Sequence, residues 1–178
     1  RARPSGPRAP VESLLHARGL HLLPGVVART HEGTGFDVPE EGALKYIAGY
    51  AIGLDMTIRG PEERSLRKSL DRFSVVGPYF VTADEIPDPQ VLDLSLSVNG
   101  KTKQSSNTRH MLFKVDHLIA DISAGITLEP GDIIATGTPP GVGLGIKPNP
   151  VFLKPGDVMT LTIEGLGEQR QKVVPYPG

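Results

Sequence analysis

The clearest hydrophobic pattern in the chain is an alternation over residues 92–98. Leucine or valine occupies every second position there, with Asp or Ser between them, which is the period of a half-buried strand. Asn99-Gly100 follows directly, and this dipeptide is a strong signal for a two-residue hairpin turn. The pattern predicts a β-hairpin whose second strand covers residues 101–105.

A second pattern has the period of an α-helix. Four apolar residues are spaced as i, i+3, i+4 and i+7, namely Val115, Leu118, Ile119 and Ile122. Gly125 follows as a stop signal. We predict a helix over residues 115–124 with this face on the core.

A weaker helix signal lies earlier in the chain. Asp37 and Glu40 have the spacing of a capping box, and Gly49 is a residue type that ends helices. These signals predict a helix over residues 39–48.

The remaining apolar runs are short and separated by turn residues. Strands are predicted at residues 50–56, 133–136, 158–163 and 171–174, with a further apolar stretch at 75–81 that Gly77-Pro78 interrupts. Two Pro-Gly-Asp sequences, at 130–132 and 155–157, predict two similar β-turns. The predicted fold class is therefore mostly β with a few helices.

Composition excludes several classes of function. The 19 Lys and Arg residues nearly balance the 20 Asp and Glu residues, so no overall charge favours nucleic acid or an anionic membrane surface. No apolar run reaches the length of a membrane helix. The chain has no Cys, which excludes disulfides and thiolate chemistry and fits a reducing compartment. We expect a cytoplasmic protein, or a mitochondrial one if the source is eukaryotic.

The N-terminal part differs in composition from the rest. Residues 1–24 alternate Arg with Pro and contain Glu12 as their one acidic residue. Frequent Pro opposes the amphipathic helix of a targeting segment. We predict an atypical, mobile N-terminal arm over residues 1–36 and a catalytic domain over residues 37–178.

Asp55 is the first candidate for chemistry. It follows an apolar run, and a carboxylate among buried residues needs a partner or a metal ion. Hard oxygen ligands suit Mg²⁺ and Mn²⁺. The alternative is a structural Asp that pairs with Arg59.

Lys68 is the second candidate, because Arg64 and Arg67 lie beside it. A cluster of cations suits an anionic substrate or a developing enolate. The alternative is a solvated surface on which these cations pair with Glu62, Glu63 and Asp71.

A third candidate is the glycine- and proline-rich segment 136–143. Its backbone amides, with the Thr138 hydroxyl, are suited to hold a carboxylate or carbonyl oxygen. Such segments are equally typical of plain turns.

Four segments in order together resemble one family. They are Asp37-Val38-Pro39-Glu40-Glu41 with Lys45-Tyr46-Ile47-Ala48-Gly49-Tyr50; Gly53-Leu54-Asp55-Met56-Thr57-Ile58-Arg59; Arg67-Lys68-Ser69-Leu70-Asp71 with Val76-Gly77-Pro78; and Pro130-Gly131-Asp132-Ile133-Ile134-Ala135-Thr136-Gly137-Thr138-Pro139 with Gly141-Val142-Gly143. Their order and spacing resemble the C-terminal catalytic domain of the fumarylacetoacetate hydrolase family from about residue 37 onward.

The resemblance implies a mixed β-roll or β-sandwich, a homodimer or higher oligomer, and a Mg²⁺ or Mn²⁺ site. It implies that Asp55 is a metal ligand, that Lys68 is catalytic, and that Arg59, Gly137 and Thr138 bind the substrate. The implied substrates are small 2-oxo acids and acylpyruvate-like compounds.

The chain departs from the family where metal ligands are expected. The family places a Glu-x-Glu pair on a strand before the segment at 39–48. If Gly25-Val26-Val27 matches that strand, His21 and Leu23 stand where the two glutamates belong. The upstream His–Glu pair of the family is missing too, and the context of His31-Glu32 does not match it.

Two functions therefore stay open at the level of sequence. The first is a metal-dependent hydrolase, decarboxylase or isomerase of 2-oxo acids, with further ligands from Glu32, Glu40 or another subunit, or from a normal form of the N-terminal segment. The second is a catalytically degenerate member that serves as a dimeric scaffold or small-acid binding module.

Overall fold

The computed structural model describes residues 25–29, 34–61, 63 and 65–175, and for residues 25–29 it describes the backbone alone. These residues form two four-stranded sheets, a two-stranded ladder and one α-helix, so the mostly β prediction is confirmed. The strands and helix are β1 (Gly25–Arg29), β2 (Gly49–Tyr50), β3 (Ile52–Asp55), β4 (Ser74–Val76), β5 (Val81–Thr82), β6 (Asp93–Val98), β7 (Lys101–Asn107), α1 (Val115–Ser123), β8 (Ile133–Ala135), β9 (Val158–Ile163) and β10 (Gly167–Lys172). No helix in the described part of the chain is long and apolar enough to cross a membrane.

The first sheet has the order β4-β3-β1-β8, with every pair antiparallel. Gly25 of β1 pairs with Gly53, and Val27 of β1 pairs with Ala135. Since β3 and β8 both run antiparallel to β1, they run in the same direction and end at the same edge of the sheet. The segment Gly25-Val26-Val27, considered above only as a conditional match to a family strand, belongs to β1. That strand lies on the N-terminal side of residue 36, and the arm boundary itself stays a prediction.

The second sheet has the order β10-β9-β6-β7 and contains the predicted hairpin. Asn99 and Gly100 both have positive φ, 50° and 74°, as a type I′ turn requires. Leu94, Leu96 and Leu161 are buried on the inner face of this sheet. Beside the turn, the strands keep the register of a two-residue turn, with Val98 opposite Lys101. A bulge between Leu96 and Ser97 then shifts the pairing of β6 with β7 by one residue over the rest of the hairpin.

Helix α1 confirms the helix predicted over residues 115–124. Val115 and Ile119 are each 1% exposed and belong to the hydrophobic core. Leu118 corrects the predicted apolar face, because it is half-buried and lines a cavity instead of the closed core. The last residue of the helix is hydrogen-bonded to a distant part of the chain, because Val38 N donates to Ser123 Oγ at 3.0 Å.

The helix predicted over residues 39–48 is wrong. The structure has only a 3₁₀ turn at Ala43–Tyr46, and Gly49 belongs to β2. Gly42 immediately before the turn has φ 91°, a left-handed conformation that no α-helix can continue through. Capping-box spacing was therefore a misleading signal.

Other strand predictions hold with shifted bounds. The apolar run at 50–56 is divided between β2 and β3, and the stretch at 75–81 between β4 and β5. The strand predicted at 171–174 overlaps β10 at residues 171 and 172, but β10 begins earlier, at Gly167, directly after the turn that follows β9. The two Pro-Gly-Asp turns are alike as predicted: Asp132 Oδ2 accepts from Glu129 N at 2.8 Å, and Asp157 Oδ2 accepts from Lys154 N at 2.7 Å.

Candidate functional site

Two of the predicted site segments leave the first sheet at the same edge. Asp55 is the last residue of β3, and Thr136 follows the last residue of β8. Strand β1 lies between them. Neighbouring strands lie about 4.8 Å apart, so β3 and β8 are roughly 10 Å apart across the sheet, and the pairing register offsets their ends further along the strand direction.

Lys68 reaches Asp55 because the chain folds back along the segment that follows β3. Met56 N donates to Phe73 O at 2.8 Å, and Ile58 N donates to Arg67 O at 3.0 Å. These two bonds bring the turn at residues 65–68 beside β3. Lys68 Nζ then donates to Asp55 Oδ2 and forms an ion pair with it. The side chain of Asp55 is 18% exposed and that of Lys68 is 49% exposed, so the pair opens towards solvent on the lysine side.

Two polar atoms beside this ion pair are buried without a hydrogen-bond partner among the described residues. They are Asp55 Oδ1 and Arg59 Nε. Burial lowers the pKa of Arg59, as does the like charge of Arg67, while the Asp55 carboxylate acts in the opposite direction. A guanidinium nevertheless stays charged in proteins. The edge at β3 thus offers an acceptor and cationic donors to a ligand.

The other half of the site is the loop that follows β8. Thr136, Gly137, Thr138, Pro139 and Pro140 line one side of a cavity of about 330 Å³. That volume lies at the lower end of the range for small-molecule sites. The opposite wall is mostly apolar and includes Leu94, Met111, Leu112, Phe113 and Leu118.

Strand β7 holds this loop in place. Gln104 Nε2 donates to Thr138 Oγ1 at 3.1 Å and to Pro139 O at 2.8 Å. Gly141 packs directly on the same strand, since a Cβ there would collide with the backbone carbonyl of Lys103. The loop is therefore a supported part of the fold and more than a plain turn.

The predicted site residues fall into two groups. Asp55 and Lys68 are in contact, with Arg59 beside them, so the partner of Asp55 is Lys68 and not Arg59. Gly137 and Thr138 line the cavity, whereas Asp55, Arg59 and Lys68 are not among its lining residues.

The metal site cannot be completed from the described residues. Within them, no three His, Cys, Asp or Glu side chains come together as a metal ion requires. Glu40 was proposed as an extra ligand, but its carboxylate contacts a histidine. Its Oε2 lies 2.9 Å from His117 Nδ1. Six residues named in the sequence analysis lie outside the described residues, namely His21, Leu23, His31, Glu32, Glu62 and Arg64.

Sequence reasoning missed three side chains near the cavity. His110 and Phe113 line it, and Gln104 supports its loop. His110 Nδ1 lies 3.4 Å from Ser106 Oγ. No periodic or motif signal marks these residues, because they come together only through the pairing of β6 with β7 and the course of the loop at 136–140.

Known proteins resemble this chain over most of its length. Residues 24–174 match the profile of the family described as fumarylacetoacetate (FAA) hydrolase C-terminal. A fumarylacetoacetate hydrolase from Exiguobacterium antarcticum superposes with a TM-score of 0.79 at 41% identity, covering 90% of this chain and 60% of that one. A maleylpyruvate hydrolase from Sphingobium sp. SYK-6, in complex with manganese(II) and pyruvate, superposes with a TM-score of 0.76 at 38% identity, covering 88% and 55%.

Sequence relatives are also close. A Burkholderia lata protein whose name assigns it provisionally to the hydrolases is 53% identical over 140 residues, which is 76% of this chain and 50% of the relative. The chain spans about half the length of the curated relatives it matches.

Proposed function

Because the chain belongs to the fumarylacetoacetate hydrolase family, we propose that it forms the active site of a metal-dependent hydrolase, decarboxylase or isomerase of 2-oxo acids and acylpyruvate-like compounds. One observation carries the proposal: Asp55, with a buried carboxylate oxygen that has no partner among the described residues, contacts Lys68 at the sheet edge from which the Thr138 loop also leaves. An acceptor for a cation and donors for an anion are thereby placed on either side of one strand.

Asp55 fits a divalent metal as one ligand. Its Oδ1 has no hydrogen-bond partner among the described residues, and a buried carboxylate oxygen is costly unless it is satisfied. Carboxylate oxygens are the ligands that Mg²⁺ and Mn²⁺ prefer. No three His, Cys, Asp or Glu side chains come together among the described residues, so water, substrate oxygens or residues outside the described part would complete such a site. When bound, the ion supplies Lewis-acid stabilisation of negative charge on the substrate.

Lys68 is proposed to stabilise the enolate that bond cleavage or isomerisation produces. Its ammonium is held at the sheet edge by Asp55, so its charge is in place before the reaction begins. A preorganised charge needs no rearrangement when negative charge develops on the substrate. Arg59 adds a second fixed positive charge beside it.

Gly137 and Thr138 are proposed to bind the carboxylate end of the substrate. The positive φ of Gly137, 110°, helps the loop to turn its backbone towards the cavity. The apolar wall formed by Met111, Phe113 and Leu118 gives room for the acyl part.

The proposal includes a homodimer, as the family resemblance implies. Leu112 is 89% exposed and Phe113 is 51% exposed, although both are large apolar residues. Such side chains are typical of surfaces that a partner covers. Sedimentation equilibrium checks this part, and a molar mass equal to one chain would contradict it.

A binding module without turnover is the second candidate. It is favoured because the described residues bring no group of three metal-ligating side chains together. Such a protein would still bind a small acid through Lys68, Arg59 and Thr138 but would lack the metal chemistry.

Turnover separates the two candidates. Chelator-stripped protein is assayed with an acylpyruvate and with oxaloacetate, with Mn²⁺ present or absent, by the loss of enol absorbance. We expect turnover that requires Mn²⁺ and stops when chelator is returned. Binding of the acid without any metal-dependent turnover would support the binding module and contradict the enzyme.

A further inference from the structure

Gln104 is a buried polar residue to which neither the sequence motifs nor the proposed chemistry gives a role. It is 1% exposed, and its Nε2 donates to both Thr138 Oγ1 and Pro139 O. Because the Pro139 carbonyl can only accept, the amide must turn its nitrogen towards the loop. The side chain therefore bonds to Thr138, one of the two proposed carboxylate-binding residues, and to Pro139, which follows it.

A β-bulge brings Gln104 to this position. Val98 pairs with Lys101 and Ser97 with Thr102, so unbroken register would place Lys103 opposite Leu96. The bulge between Leu96 and Ser97 instead places Gln104 opposite Leu96, which is fully buried. Cross-strand partners face the same side of a sheet, so the bulge turns Gln104 inward. Bulges frequently re-aim a side chain next to a functional site.

The hydrogen bond to Thr138 also constrains its hydroxyl group. Its Oγ1 accepts from Gln104 Nε2 at 3.1 Å, and the hydroxyl donates to Pro139 O at 3.4 Å. These two bonds fix where Oγ1 lies in the wall of the cavity.

We propose that Gln104 is a positioning residue that fixes the 136–141 loop and the position of the Thr138 hydroxyl, and so sets the affinity for the carboxylate end of a 2-oxo acid. The affinity part rests on the proposed function, whereas the positioning of the loop does not. Gln104 touches neither metal nor substrate in this role and acts through Thr138.

The chain offers a matched control in Gln169. It is 3% exposed, its Nε2 donates to the Gly77 carbonyl at 2.7 Å, and its Oε1 lacks a partner among the described residues, as does that of Gln104. Neither Gln169 nor Gly77 lines the cavity. A Met substitution at either position thus removes a similar buried amide, but only one of the two supports the loop.

The test compares Gln104→Met, Gln169→Met, Thr138→Val and the double variant Gln104→Met/Thr138→Val. Hydrogen exchange of the amides at Thr136, Gly137, Thr138 and Gly141 is measured without ligand. We expect exchange about tenfold faster in Gln104→Met and unchanged in Gln169→Met. Oxalate binding in the presence of Mn²⁺ should weaken about three- to tenfold in Gln104→Met, and the double variant should bind as Thr138→Val does.

Equal exchange in Gln104→Met and Gln169→Met would overturn the positioning role, and additive losses of oxalate affinity would show that Gln104 does not act through Thr138. If the unaltered protein binds no oxalate, the proposed function fails, and exchange alone decides whether Gln104 positions the loop. Should Gln104→Met not fold, Gln104→Asn shortens the side chain by one methylene and is judged by the same readouts.

Discussion

Replacing Lys68 with Met should lower kcat on an acylpyruvate by about 10²- to 10³-fold, the loss typical of a preorganised charge at a reacting centre. The ammonium is the group that Asp55 holds at the sheet edge. Stability should change by less than about 1 kcal/mol, because the side chain is half exposed and exposed ion pairs contribute little.

The measurement for Lys68→Met is steady-state kinetics with saturating Mn²⁺, beside urea denaturation of the same preparation. Lys101→Met is the control, since Lys101 is an exposed lysine at the hairpin turn and outside the site. A fall in kcat of less than about threefold would remove Lys68 from the chemistry.

Replacing Ile119 with Ala should cost about 2–5 kcal/mol of the free energy of unfolding, because Ile119 is 1% exposed and packs in the main core. Ile126→Ala is the matched control, since Ile126 is the same side chain at 64% exposure just beyond the helix. Its cost should stay within about 0.5 kcal/mol.

Chemical denaturation gives both values for the isoleucine pair. Equal losses for Ile119→Ala and Ile126→Ala would mean that α1 does not pack on the core through the face described for it.

Sequence patterns predicted the elements whose formation depends on residues close together in the chain. The β6–β7 hairpin followed from period-two alternation and Asn99-Gly100, and α1 followed from a single apolar face ended by Gly125. The helix at 39–48 failed because Gly42 adopts a left-handed conformation, which the spacing of Asp37 and Glu40 does not report.

The family and its fold were predicted from four motifs, and the profile match over residues 24–174 confirms them. The motifs named Asp55, Lys68 and Thr138, but not how they are arranged. That arrangement depends on β1 pairing with both β3 and β8, which are far apart in sequence.

The burial of Gln104 could not be predicted from the sequence, for a related reason. The hairpin signal implies a register, and in that register Lys103 would be opposite Leu96. The bulge changes the register and buries Gln104 instead. No residue type in this stretch marks the bulge in advance, so the support of the Thr138 loop emerges only from the structure.

Calorimetric titration of the chelator-stripped protein with Mn²⁺, alone and with oxalate, tests most directly whether Asp55 and the Thr138 loop form one site for a metal and a 2-oxo acid. Asp55→Asn is titrated in parallel, with Asp88→Asn as the control, because Asn at position 88 keeps an oxygen to accept from Gln90 N. We predict micromolar Mn²⁺ binding that oxalate tightens, unchanged in Asp88→Asn and lost in Asp55→Asn. Absence of heat at millimolar Mn²⁺, or equal affinity in Asp55→Asn, would contradict a metal site at this edge of the sheet.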